Sequence, residues 1–167
     1  MSNQKTWASF SNLLNAILLT ITLVLQVILI FIDKSGFNIV IIQIIGYITW
    51  IFSVYFGLVP MWVFKKKGEV VKGENYTKTN KLVDTGTYAI IRHPQYLAGI
   101  LVSLSITFWV QSFLSMILTV IVIILIYQWS YSEDKILITK FGNEYIEYKR
   151  KVTRLNPVIG IALYFLR

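Results

Sequence analysis

The sequence predicts an all-α integral membrane helical bundle. Three observations predict that class: composition, the clumping of charge, and the length of the uncharged runs. Of 167 residues, 56% are hydrophobic and 14% charged, against about 25% charged in an ordinary globular domain. Residues 6–32, 35–64 and 94–132 contain no Asp, Glu, Lys, Arg or His. These runs are 27, 30 and 39 residues long, and about 18 consecutive apolar residues already indicate a membrane span. A soluble enzyme, a disordered tail and a secreted disulfide domain are excluded. With no cysteine and a single histidine, His93, neither a disulfide framework, a thiolate nucleophile nor a multi-histidine metal centre is available, and no metal is expected.

The whole chain, 1–167, reads as one domain with about four transmembrane helices. The first run gives a span at about 11–32. It is too long for a signal-peptide core of about 7–15 residues, and no small-residue cleavage site follows. Asp33-Lys34-Ser35-Gly36 is too short to be a domain, so a second span at about 38–64 turns straight back. It ends in Pro60-Met61-Trp62 and Lys65-Lys66-Lys67, an aromatic belt followed by a basic anchor. A polar loop covers 65–94. The third run is too long for one helix and carries its only plausible turn at Gln111-Ser112, which predicts a short hairpin of helices at about 95–110 and 113–131. Gly99, Ser103 and Ser105 would form its close-packing face.

Beyond the hairpin the period changes. Leu137, Phe141, Tyr145, Tyr148 and Val152 recur at i+4 and i+3, the stripe of an amphipathic helix over 132–152. Ser132 is its expected N-cap and Gly142 a bend or break. Residues 158–166 are too few to span and are expected at the interface or packed over the preceding helix.

The net charge is +8, and 13 of the 16 Lys and Arg residues lie in 65–92 and 135–154. An even number of crossings puts both stretches on one side. The N-terminus, the polar loop and the C-terminal helix are therefore expected in the cytoplasm. Membrane topology accounts for the basic excess, so no nucleic acid is expected as partner.

Two polar patches flank the hairpin. One is Asp84-Thr-Gly-Thr-Tyr-Ala-Ile-Ile-Arg-His-Pro-Gln-Tyr96; the other is Glu133-Asp134. Each residue has an ordinary reading. Arg92 snorkels, His93 caps a helix, the acids complement a helix dipole, and Tyr88 and Tyr96 are belt aromatics. A hairpin that goes out and returns, however, brings both patches to one mouth of the bundle.

Leu82-Val83-Asp84-Thr85-Gly86-Thr87-Tyr88, with Arg92-His93-Pro94-Gln95-Tyr96 and Gly99, resembles the signature of the isoprenylcysteine carboxyl methyltransferase family, which includes phospholipid methyltransferases. Glu133-Asp134-x-x-Leu137, Phe141-Gly142-x-x-Tyr145-x-x-Tyr148, Val152 and Pro157 resemble its second block. The resemblance implies an integral membrane enzyme that moves methyl from S-adenosyl-L-methionine to a lipid-borne or prenylated small-molecule substrate within the bilayer. It implies cofactor contacts from Asn80, Lys81, Leu82, Val83, Tyr88, His93, Pro94, Gln95, Tyr96 and Glu133, with Arg92, His93 and Glu133 as the reacting set. Arg92 and His93 suit the cofactor carboxylate, Glu133 its ammonium or ribose, and tyrosine faces its sulfonium. His93 is expected there as a ligand rather than a base.

The chain departs from the family pattern at two positions. Asp134 replaces a glutamate, and Trp129 stands where the isoprenylcysteine enzymes carry a substrate-contacting arginine, so Arg150 or Arg154 would have to supply that cation. Carboxyl O-methylation is the leading expectation, with a phospholipid amine or a phenolic lipid as alternative acceptors. An NADPH-dependent sterol-type reductase and a non-enzymatic adaptor are the competing classes.

Overall fold

The computed structural model describes residues 2–33, 35–68 and 80–166, with side chains from Asn12 onward. Lys34, the centre of the polar loop (69–79) and Arg167 lie outside the described residues. In chain order the helices are α1 (Ser2–Ile32), α2 (Val40–Lys67), α3 (Pro94–Val110), α4 (Phe113–Phe141), α5 (Asn143–Lys151) and α6 (Pro157–Phe165), with a 3-10 turn at Gly86–Ala89 before α3. No strand occurs among the described residues; one isolated parallel bridge pairs Ile91 with Thr153.

The chain is an all-helical integral membrane protein. Asn12–Ile32 within α1, all of α2 and all of α4 are long and apolar enough to cross a membrane. With 17 residues, α3 is about 25 Å long at about 1.5 Å per residue. Among the described residues three helices are thus long enough to span, and α3 is the shorter apolar helix of the expected hairpin. Large apolar side chains stay exposed along the spans, among them Ile41, Ile51, Leu58 and Phe113, because lipid tails solvate them as well as a core would.

Two compact units make up the chain: Met1–Ile51 with Ile100–Tyr131, and Phe52–Gly99 with Ser132–Arg167. In the first, Leu29, Ile106 and Val110 form the apolar centre. A buried polar knot crosses it. Gln26 Nε2 donates to Thr119 Oγ1 at 2.8 Å and Ser103 Oγ donates to Gln26 Oε1 at 2.8 Å. Thr107 Oγ1 lies 2.6 Å from Thr119 Oγ1 and 3.0 Å from Ser115 Oγ. Ser103 and Ser105 are fully buried, as the close-packing face requires. The Gln111-Ser112 turn separates α3 from α4, and Gln111 also clamps the start of α2: its side chain accepts from Ile39 N at 2.8 Å and donates to Ile39 O at 2.9 Å. At Gly36 a Cβ would sit 2.1 Å from the Val110 carbonyl oxygen, so only glycine lets these two turns approach.

In the second unit, Val63, Val83 and Tyr88 form one apolar cluster, and Tyr145, Tyr148 and Val152 another. The expected helix start at Ser132 is corrected here: α4 runs unbroken through it to Phe141. No Gly or Pro interrupts 128–141, and Ser130 satisfies its hydroxyl on Tyr127 O at 2.8 Å. The change of side-chain polarity after Tyr131 therefore leaves the helical backbone unbroken. The break comes at Gly142, at φ +58°, a left-handed conformation that suits glycine. The last apolar residues form α6. Asn156 caps it by accepting from Ile159 N at 3.0 Å, and Pro157 sits in its first turn, where the missing N–H costs nothing.

Candidate active site

Every group of the site lies in the second unit. Pro94 opens α3 with a preset φ, and the His93 carbonyl accepts the Leu97 amide at 3.1 Å. The segment before it is held against the chain after α5. Arg92 N donates to Thr153 O at 2.9 Å and His93 N to Arg154 O at 3.2 Å, while Tyr148 Oη donates to Tyr88 O at 2.7 Å. These backbone bonds aim three basic side chains at one acid.

Asp134 is that acid, 1% exposed. His93 Nε2 lies 2.8 Å from its Oδ1, and the Tyr145 hydroxyl donates to the same oxygen at 2.5 Å. Arg154 reaches Oδ2 through Nε at 3.1 Å and Nη2 at 2.9 Å, and Arg92 Nη2 lies 3.6 Å from it. Burial, together with the neighbouring Asp134 carboxylate that accepts its hydrogen, pushes the Tyr145 phenol pKa up, so this group stays a donor. The carboxylate is thereby nearly saturated, as a buried charge must be.

Beside this cluster lies a cavity of about 210 Å³ whose walls include Phe64, Tyr88, Arg92, His93, Tyr96 and Glu133. Arg92 is 9% exposed, and its Nε and Nη1 are buried without a hydrogen-bond partner among the described residues. The His93 and Tyr96 rings lie 5.4 Å apart. Glu133 differs from its neighbour Asp134: its side chain is 40% exposed, its Oε2 is 3.9 Å from His93 Nδ1, and it is hydrogen-bonded to Tyr96. Such a site can hold an anion on Arg92, a cation on Glu133 and the rings, and a proton on His93.

The two patches meet. Arg92, His93, Pro94, Gln95, Tyr96, Tyr88 and Glu133 share one cavity. Leu82 and Val83 line a smaller neighbouring one with Tyr88 and Arg92. Lys81, exposed, lines a third with Lys66 and Lys67, and Asn80 is exposed with its amide on Gly68 O at 3.0 Å. Of the three residues named for substrate, Arg154 is engaged by Asp134, Arg150 is exposed on α5, and Trp129 belongs to the first unit. Because α4 is continuous, Glu133 and Asp134 stand inside a helix and not at its start, which removes the dipole-complement reading of the pair.

Sequence reasoning missed Phe64, Leu137 and Lys140, which also line the cavity. A signal existed for two of them: Glu133, Leu137 and Lys140 fall at i, i+4 and i+7 on one helix face. The central place of Asp134 had none, since Arg154 is twenty positions away.

A family model described as phospholipid methyltransferase matches residues 41–144, a stretch that contains both polar patches and the hairpin between them. No curated protein and no solved structure matches the chain. The match covers more than half of the sequence, and the chain belongs to the phospholipid methyltransferase family, within the group of membrane methyltransferases that its two sequence blocks resemble.

Proposed function

We propose that the protein transfers methyl from S-adenosyl-L-methionine to a lipid-borne nucleophile at this cavity, and that the acceptor is a phospholipid amine. The single observation that carries the reading is Arg92. A buried guanidinium beside a cavity, with both Nε and Nη1 unpartnered among the described residues, is costly unless a ligand completes it, and the cofactor carboxylate is the matching partner. Glu133 would take the cofactor ammonium or ribose, and Tyr88 and Tyr96 offer faces for its sulfonium. When bound, the cofactor supplies a methyl group already activated by positive sulfur. The protein's work is to align the acceptor at about 3–3.5 Å and to exclude water. The absence of a glycine-rich dinucleotide loop is no obstacle, because the anion is met by a side chain.

For the acceptor, the Phe64 ring on the cavity wall offers a face for a cationic head group, and Lys140 on the same wall suits its phosphate. Carboxyl O-methylation of an isoprenylcysteine is the second reading, supported by Lys140 as a cation for an acceptor carboxylate. The charge distribution supports a cytoplasmic site: the two stretches richest in Lys and Arg, 65–92 and 135–154, adjoin it.

Purified protein tests this. S-adenosylhomocysteine is expected to raise its melting temperature while NADPH does not; the reverse overturns methyl transfer in favour of the reductase. Labelled methyl is expected in ethanolamine phospholipid vesicles. Incorporation only into prenylcysteine would replace the amine with the carboxylate.

A further inference from the structure

We propose that His93 is the base that takes the acceptor's proton on Nδ1, and that Asp134 is the positioning residue that keeps this nitrogen unprotonated. The proposal rests on the reading that the cavity methylates a lipid-borne amine.

The argument begins with the donors around Asp134. Its carboxylate faces the Tyr145 hydroxyl, Arg154 Nε and Nη2, and Arg92 Nη2. Ionised, it only accepts. The hydrogen in the 2.8 Å contact between Asp134 Oδ1 and His93 Nε2 therefore belongs to the imidazole. A neutral imidazole carries one N–H, so Nδ1 keeps its lone pair. That nitrogen is 3.9 Å from Glu133 Oε2, beyond hydrogen-bond distance, and the ring lines the cavity.

The base role requires a neutral ring before the acceptor arrives. The groups facing it are Arg92 from its own segment, Tyr96 from α3, Glu133 and Asp134 from α4, Tyr145 from α5 through Asp134, and Arg154 from the chain after α5. Both guanidinium groups engage Asp134, and a third cation, Lys140, also lines the cavity. A resting imidazolium would add a further cation to a cavity that must also receive a positively charged cofactor.

The step balances simply. A lipid amine reaches the site as its ammonium. One N–H bond breaks, the proton passes to His93 Nδ1, and the electron pair stays on nitrogen, free to attack the methyl group. The imidazolium formed lies between Asp134 and Glu133, which stabilise it, and it returns the proton to water as product leaves. A carboxylate acceptor arrives without this proton and needs no such base.

His93 is the only histidine in the chain, so its tautomer can be read directly. In detergent-solubilised protein labelled with ¹⁵N-histidine, long-range ¹H–¹⁵N spectra at pH 8 are expected to show the Nε2–H tautomer. Asp134→Asn is expected to shift it toward Nδ1–H. An Nδ1–H tautomer in the wild type, or an imidazolium persisting to pH 9, overturns the proposal without any variant having to fold. In turnover on ethanolamine phospholipid, His93→Gln is expected to lower kcat about a hundredfold or more and to abolish the acid limb of the pH profile. Its affinity for S-adenosylhomocysteine should stay within about threefold of wild type, the tenth part or less of a general-base effect. A small loss of kcat with a matching loss of affinity makes His93 a ligand only and overturns the base. Failure of the wild type to bind S-adenosylhomocysteine sinks the methyl-transfer reading and the base with it, while the spectrum still judges the Asp134–His93 geometry separately.

Discussion

Asp134 Oδ1 receives both His93 Nε2, at 2.8 Å from the start of α3, and the Tyr145 hydroxyl, at 2.5 Å from α5. One oxygen thus ties together three segments of the second unit, and the second oxygen adds Arg154. Removing that carboxylate takes the ion-pair partner from the buried Arg92, a change that typically costs about 3–5 kcal/mol. Asp134→Ala is expected to lower the melting temperature in detergent by about 10 °C, taking about 2–4 °C per kcal/mol for a chain of this size. Glu133→Gln, at a side chain 40% exposed, should shift it by no more than about 2 °C.

Arg92 carries the cofactor reading. Loss of a charge-assisted hydrogen bond costs about 1.5–3 kcal/mol, so Arg92→Gln is expected to weaken S-adenosylhomocysteine binding about 10- to 100-fold in titration calorimetry. Arg92→Lys should recover only part of this, because a lysine cannot present the planar fork. Unchanged affinity in Arg92→Gln would remove the guanidinium from the cofactor site.

Tyr145 gives a pH dependence. Its phenol pKa is raised in the folded chain, first by burial and then by the Asp134 carboxylate. The folded state therefore holds the proton more tightly than the unfolded state. This contribution is complete below the ordinary tyrosine value of about 10 and declines as pH rises through and beyond it. Chemical denaturation from pH 7 to 11 should show a fall in stability above pH 10 that is shallower in Tyr145→Phe. Parallel curves for the two proteins would refute the assignment.

Two glycines should fail for different reasons. At Gly142 there is open space but φ is +58° with ψ −132°, so Gly142→Ala costs about 1–3 kcal/mol of backbone strain. At Gly160 a Cβ would lie 2.2 Å from the Ile90 carbonyl oxygen. Gly160→Ala must push α6 off the segment that holds Arg92 and His93. The thermal shifts are expected to be similar, but only Gly160→Ala should also perturb the His93 spectrum.

The polar knot of the first unit makes a separate prediction. Gln26→Leu removes the Gln26 bonds to Ser103 and Thr119 while these two still pair with each other, and hydrogen bonds between membrane helices average about 0.6 kcal/mol, with a maximum near 1.7. A loss of about 1–2 kcal/mol in unfolding assays is expected, with S-adenosylhomocysteine affinity unchanged.

The amino-acid sequence by itself determined the class, the membrane runs, the turn at Gln111-Ser112 and the break at Gly142. These are local properties: an uncharged run is legible from composition, and a left-handed residue from its lack of a Cβ. It also placed Arg92, His93 and Glu133 near one another through the hairpin. It misjudged Ser132, because the polarity change at the membrane boundary resembles a helix start while the backbone continues unaffected. Only the tertiary structure decided that Asp134 is the hub, that Arg154 is engaged by it, and that Nε and Nη1 of Arg92 are unpartnered among the described residues. Those facts depend on which donors reach one carboxylate across eleven to forty-two positions of chain. Such pairings are settled by packing and backbone pairing at Ile91 and Thr153, and no local pattern encodes them.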